Sequence, residues 1–475
     1  MAIVLSNKID VIDTIRKKFN MDNKNMVIFT SDYYCGKEFI KKINPQTYVY
    51  YYFYDQHLYM MEVESDIRTL QDILIKDKNY SESKIYNEFL IFVTREKQLP
   101  KWMFYPMIIQ LEHTNRCNAR CIMCGHANIE KSKCFDMNLD VFKKIKKFLP
   151  FCRHVGLHGY GEPFLARNLI KFFDVYKMYG VRLYVNSNLS YLPDEYFSYI
   201  ADMFDEINIS MDGFTEETYE YIRSGLQYSV IIKNIEKIRK YCPSVRLNLH
   251  VTLMRQNILE SVEAIKFAIK YRFKKVVFNE MIALDANNNE KDMLINYPAI
   301  TSRQLKWARD KAISLGVDIF YPIELIVDYN EDNCKRQENE IIELNKMEFS
   351  KKREVEILEK GFLFNRQLLN VEDVNASGIF CKGICDVFQE QFYIDADGKM
   401  AVCCVDGYHF IGNVLDIENI EDYWNNDQIR LLTECFRRNE LPAICKRCNY
   451  ILLNNLKHLC IDDRQEYAEN LMKRR

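Results

Sequence analysis

Three cysteines in the segment EHTNRCNARCIMCGH, namely Cys117, Cys121 and Cys124, are spaced C-x3-C-x2-C. A cubane iron-sulfur cluster normally takes four cysteine thiolates. Three thiolates on one tight loop can hold three irons and leave the fourth with an open position. An open coordination position goes with catalysis, and a closed set with structure or electron transfer. The alternative at this spacing is a zinc site completed by His126 or Cys134, although zinc modules usually bring paired C-x2-C elements. A second constellation runs through CKGICDVFQEQFYIDADGKMAVCCVDG, IGNV, DYWNN and LPAICKRC, between residues 381 and 448. Within it FYIDADGKMAVCC has the form of a β-hairpin with Asp397-Gly398 at its turn. Cysteines flanking that hairpin could converge with Cys445 and Cys448 into a closed four-thiolate set. A structural zinc ribbon has the same parts.

The placing of the cysteines supports metal chemistry over cross-links. Of 16 cysteines in 475 residues, five fall between Cys117 and Cys152 and eight between Cys381 and Cys460. That is too few for a disulfide-built scaffold of this length, and a reducing compartment favours metal sites. Lys plus Arg is 65 against 67 for Asp plus Glu, a net charge of -2, which gives no electrostatic case for nucleic acid or an anionic membrane surface. No apolar run approaches the roughly 18 residues of a membrane span. The opening stretch MAIVLSNKIDVIDTIRKK lacks a signal-peptide core, so the expected location is the cytoplasm.

Strand-like and helix-like periodicity alternates through the middle of the chain. Strands are expected at 107–113, 154–159, 182–188, 206–212, 246–254 and 274–282, with amphipathic helices between them. Such alternation implies parallel strands joined by right-handed crossovers, in an open doubly wound sheet or a barrel. Upstream, MVIFTSDYYCGKEFIKKI reads as strand, turn and helix, and YVYYYFYD and EFLIFVTRE as further strands. The densely charged EDNCKRQENEIIELNKMEFSKKREVEILEK reads as a solvated helical insertion. The expected divisions are 1–100, 101–322, 323–378 and 379–475.

Residues 107 to 283 resemble a radical S-adenosylmethionine (AdoMet) enzyme core, whose fold is a partial (β/α)6 barrel. The family's C-x3-C-x-φ-C loop matches Cys117, Cys121, Met123 and Cys124, with Met123 at the usually aromatic position. HGYGEPF matches its Gly-Gly-Glu-Pro-like run through Gly159, Gly161, Glu162 and Pro163, which the resemblance implies meets the AdoMet amino group. Glycines let a main chain approach a ligand closely. VNSNLS stands where the family often has Thr-Asn-Gly, so Ser187 and Asn188 fit positions facing the ribose while Leu189 replaces the glycine. INISMDG and the following TEETYEYIRSG offer Ser210 and Arg223 for the AdoMet carboxylate, with Arg supplying a rigid donor fork. The ends of parallel strands are where such folds place their sites.

Residues 381–448 resemble the SPASM/twitch extension found behind many radical AdoMet cores, in its shorter one-cluster form similar to the aminocyclitol dehydrogenase of that group. The resemblance carries Cys385, Cys403, Cys445 and Cys448 over as ligands of one auxiliary 4Fe-4S cluster, with Cys404 able to replace Cys403 and Cys381 and Cys435 left over. It implies one 4Fe-4S cluster that binds AdoMet, an electron donor such as a reductase with flavodoxin or ferredoxin, and an oxidoreductase-type reaction begun by a 5'-deoxyadenosyl radical. Oxidation or epimerisation of a small alcohol or sugar-like substrate is the expected net reaction, with Cys134 a candidate hydrogen donor in the second. Maturation of a ribosomal peptide is the alternative within the class, and a zinc-stabilised non-enzymatic binding protein the alternative outside it. The first 100 residues have the outline of a degenerate Rossmann-like α/β domain. Gly36 is their only glycine, and Thr30, Ser31 and Asp32 occupy the turn, so no dinucleotide is expected there.

Overall fold

The computed structural model describes residues 104–281, 290–321, 326–350, 391–401 and 410–424, five strands in the first 60 residues, and scattered helical positions at 75–91 and 427–430. Two compact units divide the chain: Met1–Ile108 with Lys143–Arg153 and Ile417–Arg430, and Ile109–Phe142 with His154–Asp416 and Leu431–Arg475.

In the first unit β1 (Ala2–Leu5) pairs parallel with β2 (Met26–Phe29). The strands β3 (Phe39–Asn44), β4 (Thr47–Tyr54) and β5 (His57–Tyr59) form an antiparallel sheet. Two expectations are corrected here. FIKKI is a strand and not the expected helix, because its pairing with the tyrosine-rich β4 overrides the helix preference of its lysines. Leu90 and Ile91 in the expected strand EFLIFVTRE are helical, and the buried positions Ser83, Lys84, Asn87, Leu90 and Ile91 follow a 3.6-residue period. Asn87 brackets Tyr105 through two 2.7 Å hydrogen bonds, and Tyr105 stacks on Phe151 at 4.2 Å. Trp424, in the expected DYWNN element, donates its indole N–H to Phe104 O at 2.7 Å.

The second unit carries the main sheet. Its strands are β6 (Ile108–Leu111), β7 (His154–Leu157), β8 (Arg182–Ser187), β9 (Phe204–Ser210), β10 (Arg246–Leu253), β11 (Lys275–Glu280) and β12 (Asp318–Phe320). The first six coincide with the expected strands, and β12 adds a seventh. Their spatial order is strictly sequential, and every pairing from β7 to β12 is parallel. A doubly wound sheet reverses its order at a switch point. Here no reversal occurs, so the sheet is a barrel left open, since β12 and β6 do not pair with each other. The edge of β6 is taken by the hairpin β13 (Gln391–Ile394) and β14 (Lys399–Ala401), followed by β15 (Phe410–Asn413). Gly398 closes the hairpin turn at φ +84°, as the Asp-Gly signal requires.

The crossovers carry α1 (Leu139–Ile145), α2 (Leu169–Met178), α3 (Phe197–Met203), α4 (Glu216–Ile222), α5 (Tyr228–Tyr241) and α6 (Ser261–Lys270); all but α4 fall within the expected amphipathic stretches. Strand alternation divides the sheet cleanly. Val155, Leu157, Leu183, Val185, Ile207, Ile209, Leu247, Leu249, Val276 and Phe278 are fully buried in one phase, each such burial contributing roughly 1.5–3 kcal/mol. The other phase is polar, with Asn186, Asn208 and Asn248 in register. After α7 (Pro298–Leu315), helix α8 (Glu331–Phe349) corrects the expectation of a solvated insertion. Its Cys334 and Ile341 are buried, and Arg303 holds Glu331 and Glu338 at 3.0 and 2.6 Å. Its last turn brings Asn345 and Glu348 to the fully buried Arg255. The helix is solvated on one face only.

Candidate active site

The cysteine loop is tied to the ends of three other strands. The loop amides Arg120 N and Ile122 N donate to Ser224 O and Ile222 O, at 2.7 and 2.9 Å, at the end of α4. Glu162 N donates to Arg116 O at 2.8 Å, joining the GYGEP turn to the same loop. Asn188 Nδ2 reaches Asn118 Oδ1 at 3.2 Å and lies 4.0 Å from Cys117 Sγ. Arg116 pins the loop's return by its ion pair with Asp136 (2.7 Å). Four separate sequence motifs thus meet at the carboxyl ends of the parallel strands.

The loop fits a cluster better than a single ion. Cys121 is buried, Cys117 and Cys124 partly so, and all seven described cysteines are free thiols. Among the described residues no three His, Cys, Asp or Glu side chains close on one point, whereas a cubane binds each cysteine to a different iron. Burial pushes the Cys117 and Cys124 thiols up, so holding them as thiolates needs nearby positive charge such as a bound metal supplies. His126 Nε2 meets Asn115 O at 2.5 Å, while its Nδ1 is buried without a partner. Cys134 donates to Glu130 O at 3.5 Å and lies 4.0 Å from His126, on the outer return of the loop. Met123 packs against a wall of Ile122, Ile222, Met254 and Met281.

The glycines of the second motif serve the protein's own packing. A methyl on Gly159 would stand 2.2 Å from the Glu112 carboxylate, and one on Gly161 would stand 2.1 Å from Thr114 O. Because Thr114 O and Arg116 O are backbone atoms, Gly161→Ala must displace the cysteine loop itself. Such overpacking costs typically 1–3 kcal/mol. An anaerobic denaturant melt should show that loss together with weakened AdoMet binding; an unchanged melt would mean that the two loops are not in contact.

Glu162 is a knot between strands. One carboxylate oxygen accepts from Ser187 Oγ (2.6 Å) and Phe164 N (3.3 Å), and the other from Asn188 N (2.8 Å). Ser187, expected to face the ribose, therefore faces Glu162, while Pro163 opens the short 3-10 turn that follows. Burial outweighs these three donors and pushes Glu162 up to about 7. A carboxyl raised in the folded state binds its proton more tightly there. Its contribution to stability is complete below the ordinary carboxylate range and is lost as pH rises through about 7. Wild type should lose about 3 kcal/mol more than Glu162→Gln between those limits, at 1.36 kcal/mol per pH unit. Parallel pH profiles for the two proteins would refute this role.

Leu189 sits where a glycine was the expected residue, and the backbone keeps the glycine conformation, at φ +53°. A left-handed Leu costs roughly 1–2 kcal/mol, offset here by complete burial and by the bond from Asn234 Nδ2 to Leu189 O (2.8 Å). Arg223 is held by Asp212 (Nη2–Oδ2 2.7 Å) and stands 3.8 Å from Cys121 Sγ, with its buried Nε unpartnered. Ser210 lies on the polar face of β9. Asp212 was not singled out from the sequence, although it sits inside the SMDG run. Also unassigned were Glu112, which accepts from Tyr160 N at the next strand end, and the polar rows on β8, β9 and β10. Their signal was available: NSN, EINIS and LNLH place polar residues in one strand phase. Cys385, Cys403, Cys404, Cys445 and Cys448, with Cys381 and Cys435, lie outside the described residues.

Residues 111–268 match the Radical SAM superfamily, and residues 385–449 match SPASM, an iron-sulfur cluster-binding domain. The chain carries a radical SAM domain. Its particular form joins a radical SAM domain to a SPASM domain, which implies a 4Fe-4S cluster with AdoMet and auxiliary iron-sulfur clustering. The cofactor-modifying protein of tungsten-containing aldehyde ferredoxin oxidoreductase from Pyrococcus furiosus is 25% identical over 186 residues, 37% of this chain and 52% of that protein. A probable GTP 3',8-cyclase of Thermococcus kodakarensis is 26% identical over 165 residues, 34% of this chain and 53% of that protein. The chain spans about half the length of these curated relatives. Among solved structures, native anSMEcpe with bound AdoMet has a TM-score of 0.49 at 16% identity, covering 73% of this chain and 87% of that one. SuiB of Streptococcus suis, bound to S-adenosylmethionine, has a TM-score of 0.47 at 11% identity, covering 73% and 71%. No helix among the described residues is long and apolar enough to cross a membrane.

Proposed function

We propose that Cys117, Cys121 and Cys124 hold the AdoMet-binding 4Fe-4S cluster, and that Cys385, Cys403, Cys445 and Cys448 hold one auxiliary cluster. The observation that carries this is the meeting of four motifs around the cysteine loop, through Glu162, Asn188 and Arg223. When bound, cluster and AdoMet supply a 5'-deoxyadenosyl radical that takes a hydrogen from the substrate. The protein's part is to hold and orient. Arg223, fixed by Asp212, offers its free Nε to the AdoMet carboxylate, and Ser210 offers a hydroxyl from the neighbouring strand. Gly159, Gly161 and Pro163 shape the turn that meets the amino group, with Glu162 fixing it to Ser187 and Asn188. Met123 and the apolar wall behind it exclude water from the loop. The net reaction we infer is oxidation or epimerisation of a small alcohol or sugar-like substrate, with electrons from a flavodoxin- or ferredoxin-type donor.

The test is anaerobic reconstitution followed by dithionite reduction with AdoMet. Iron and sulfide in near-equal amounts, with 5'-deoxyadenosine released, is the expected result. A colourless protein holding zinc, with AdoMet intact, would overturn it.

A further inference from the structure

Beneath the strand ends lies a set of polar side chains of which only Ser210 has been given to AdoMet. In register across three strands, Tyr184 and Glu206 face Arg246, Asn186 and Asn208 face Asn248, and Ser210 faces His250. The amides form a directed chain. Asn248 Nδ2 donates to Glu206 Oε2 (3.1 Å) and to Asn208 Oδ1 (2.8 Å), and Asn208 Nδ2 donates to Asn186 Oδ1 (2.8 Å). The carboxylate at one end fixes this order, so the row ends in the Asn186 amide as a donor. His158 follows β7 in phase with Gly156, and its ring lies 5.6 Å from that of Tyr184. Gly156 makes room, since a methyl there would strike the Tyr184 ring at 2.4 Å. Both imidazoles have a buried, unpartnered nitrogen: Nδ1 of His158 and Nε2 of His250. Burial pulls each down to about 4, His250 further by Lys275 and His158, so both are neutral at pH 7.

We propose that His158, His250 and Asn186 form the substrate-holding end of the barrel, and that the group they take is an uncharged, hydroxyl-bearing one. This rests on the radical SAM reading above, and it assigns the residues that would hold the hydroxyl-bearing substrate inferred there. Buried polar groups are seldom left unpaired. A carboxylate or phosphate brings only acceptors, which would require both imidazoles to donate from these buried nitrogens. A hydroxyl both donates and accepts, so one group can take the Asn186 N–H and give its own proton to an imidazole nitrogen. Two or more neighbouring hydroxyls would satisfy all three side chains at once.

The experiment uses the full-length, anaerobically reconstituted protein with AdoMet, and equilibrium dialysis of four probes. These are myo-inositol, glucose, glucose 6-phosphate and N-acetylalanine methylamide. Saturable binding of at least one polyol, tighter than the phosphate ester or the blocked dipeptide, is expected. His158→Leu, His250→Leu and Asn186→Leu should each weaken it about tenfold, the scale of one lost buried hydrogen bond. His158→Gln and His250→Gln should recover part of the loss, and Lys177→Ala on the surface should change nothing. Iron content equal to wild type identifies the variants that are folded. Tighter binding of the phosphate or the dipeptide, no binding of either polyol, or wild-type affinity in the folded variants would each overturn the proposal. The radical reading is judged separately, because wild type that releases no 5'-deoxyadenosine fails that reading whatever the dialysis shows.

Discussion

Replacing Cys117, Cys121 and Cys124 together by Ala should abolish 5'-deoxyadenosine formation while leaving auxiliary iron in place. Two four-iron clusters give roughly eight irons in reconstituted wild type and roughly four in the triple variant. The loop should survive the change, because its hold on the rest of the site is made by backbone groups. Arg120 N, Ile122 N and Arg116 O make the bonds that fix it, and none of these is lost with the thiols. Iron analysis with quantified 5'-deoxyadenosine decides the matter. Full product release by the triple variant would remove these cysteines from the reaction.

Arg223→Ala has two effects of different origin. Asp212 is fully buried, and removing its partner leaves a carboxylate with no opposite charge, at a cost of roughly 3–5 kcal/mol. Loss of the guanidinium should also weaken AdoMet binding by about tenfold or more, since a charged hydrogen bond contributes about 1.5–3 kcal/mol. The double variant Arg223→Ala/Asp212→Asn separates the two. It should regain most of the stability in anaerobic denaturant unfolding and none of the affinity. Ser210→Ala, with no buried charge to strand, should lower affinity alone. Recovery of affinity in the double variant would show that Arg223 acts only on the fold.

The barrel was legible because its strands are buried on one face and joined by amphipathic helices, so period-2 and period-3.6 patterns alternate without ambiguity. The same patterns misled in FIKKI, whose apolar positions 39, 40 and 43 are spaced as on a helix face, and in EFLIFVTRE, where a run of five apolar residues fits either period. The cysteine loop and strand-end motifs were legible as residue types. Their internal bonding was not, since nothing in GYGEP says that Glu162 will be spent on Ser187 and Asn188. Gly161, read as a ligand contact, also leaves the space for a neighbouring backbone. Leu189 shows the limit from the other side. Its type argued against a left-handed turn, and only the buried pocket around it makes the conformation tolerable.

The hairpin on the edge of β6 has a consequence for the order of synthesis. Glu112 N donates to Ile394 O (3.0 Å), and the Tyr393 hydroxyl meets Glu112 across a separation of 281 residues. At roughly 5–20 residues per second, the ribosome delivers that partner some 15 to 60 s after β6 emerges. Until then the first barrel strand presents unpaired backbone groups, the kind of edge that templates aggregation. A nascent chain stalled or truncated before residue 391 should therefore be insoluble or chaperone-bound even though the whole barrel sequence has been made, and the last-made hairpin is what releases it.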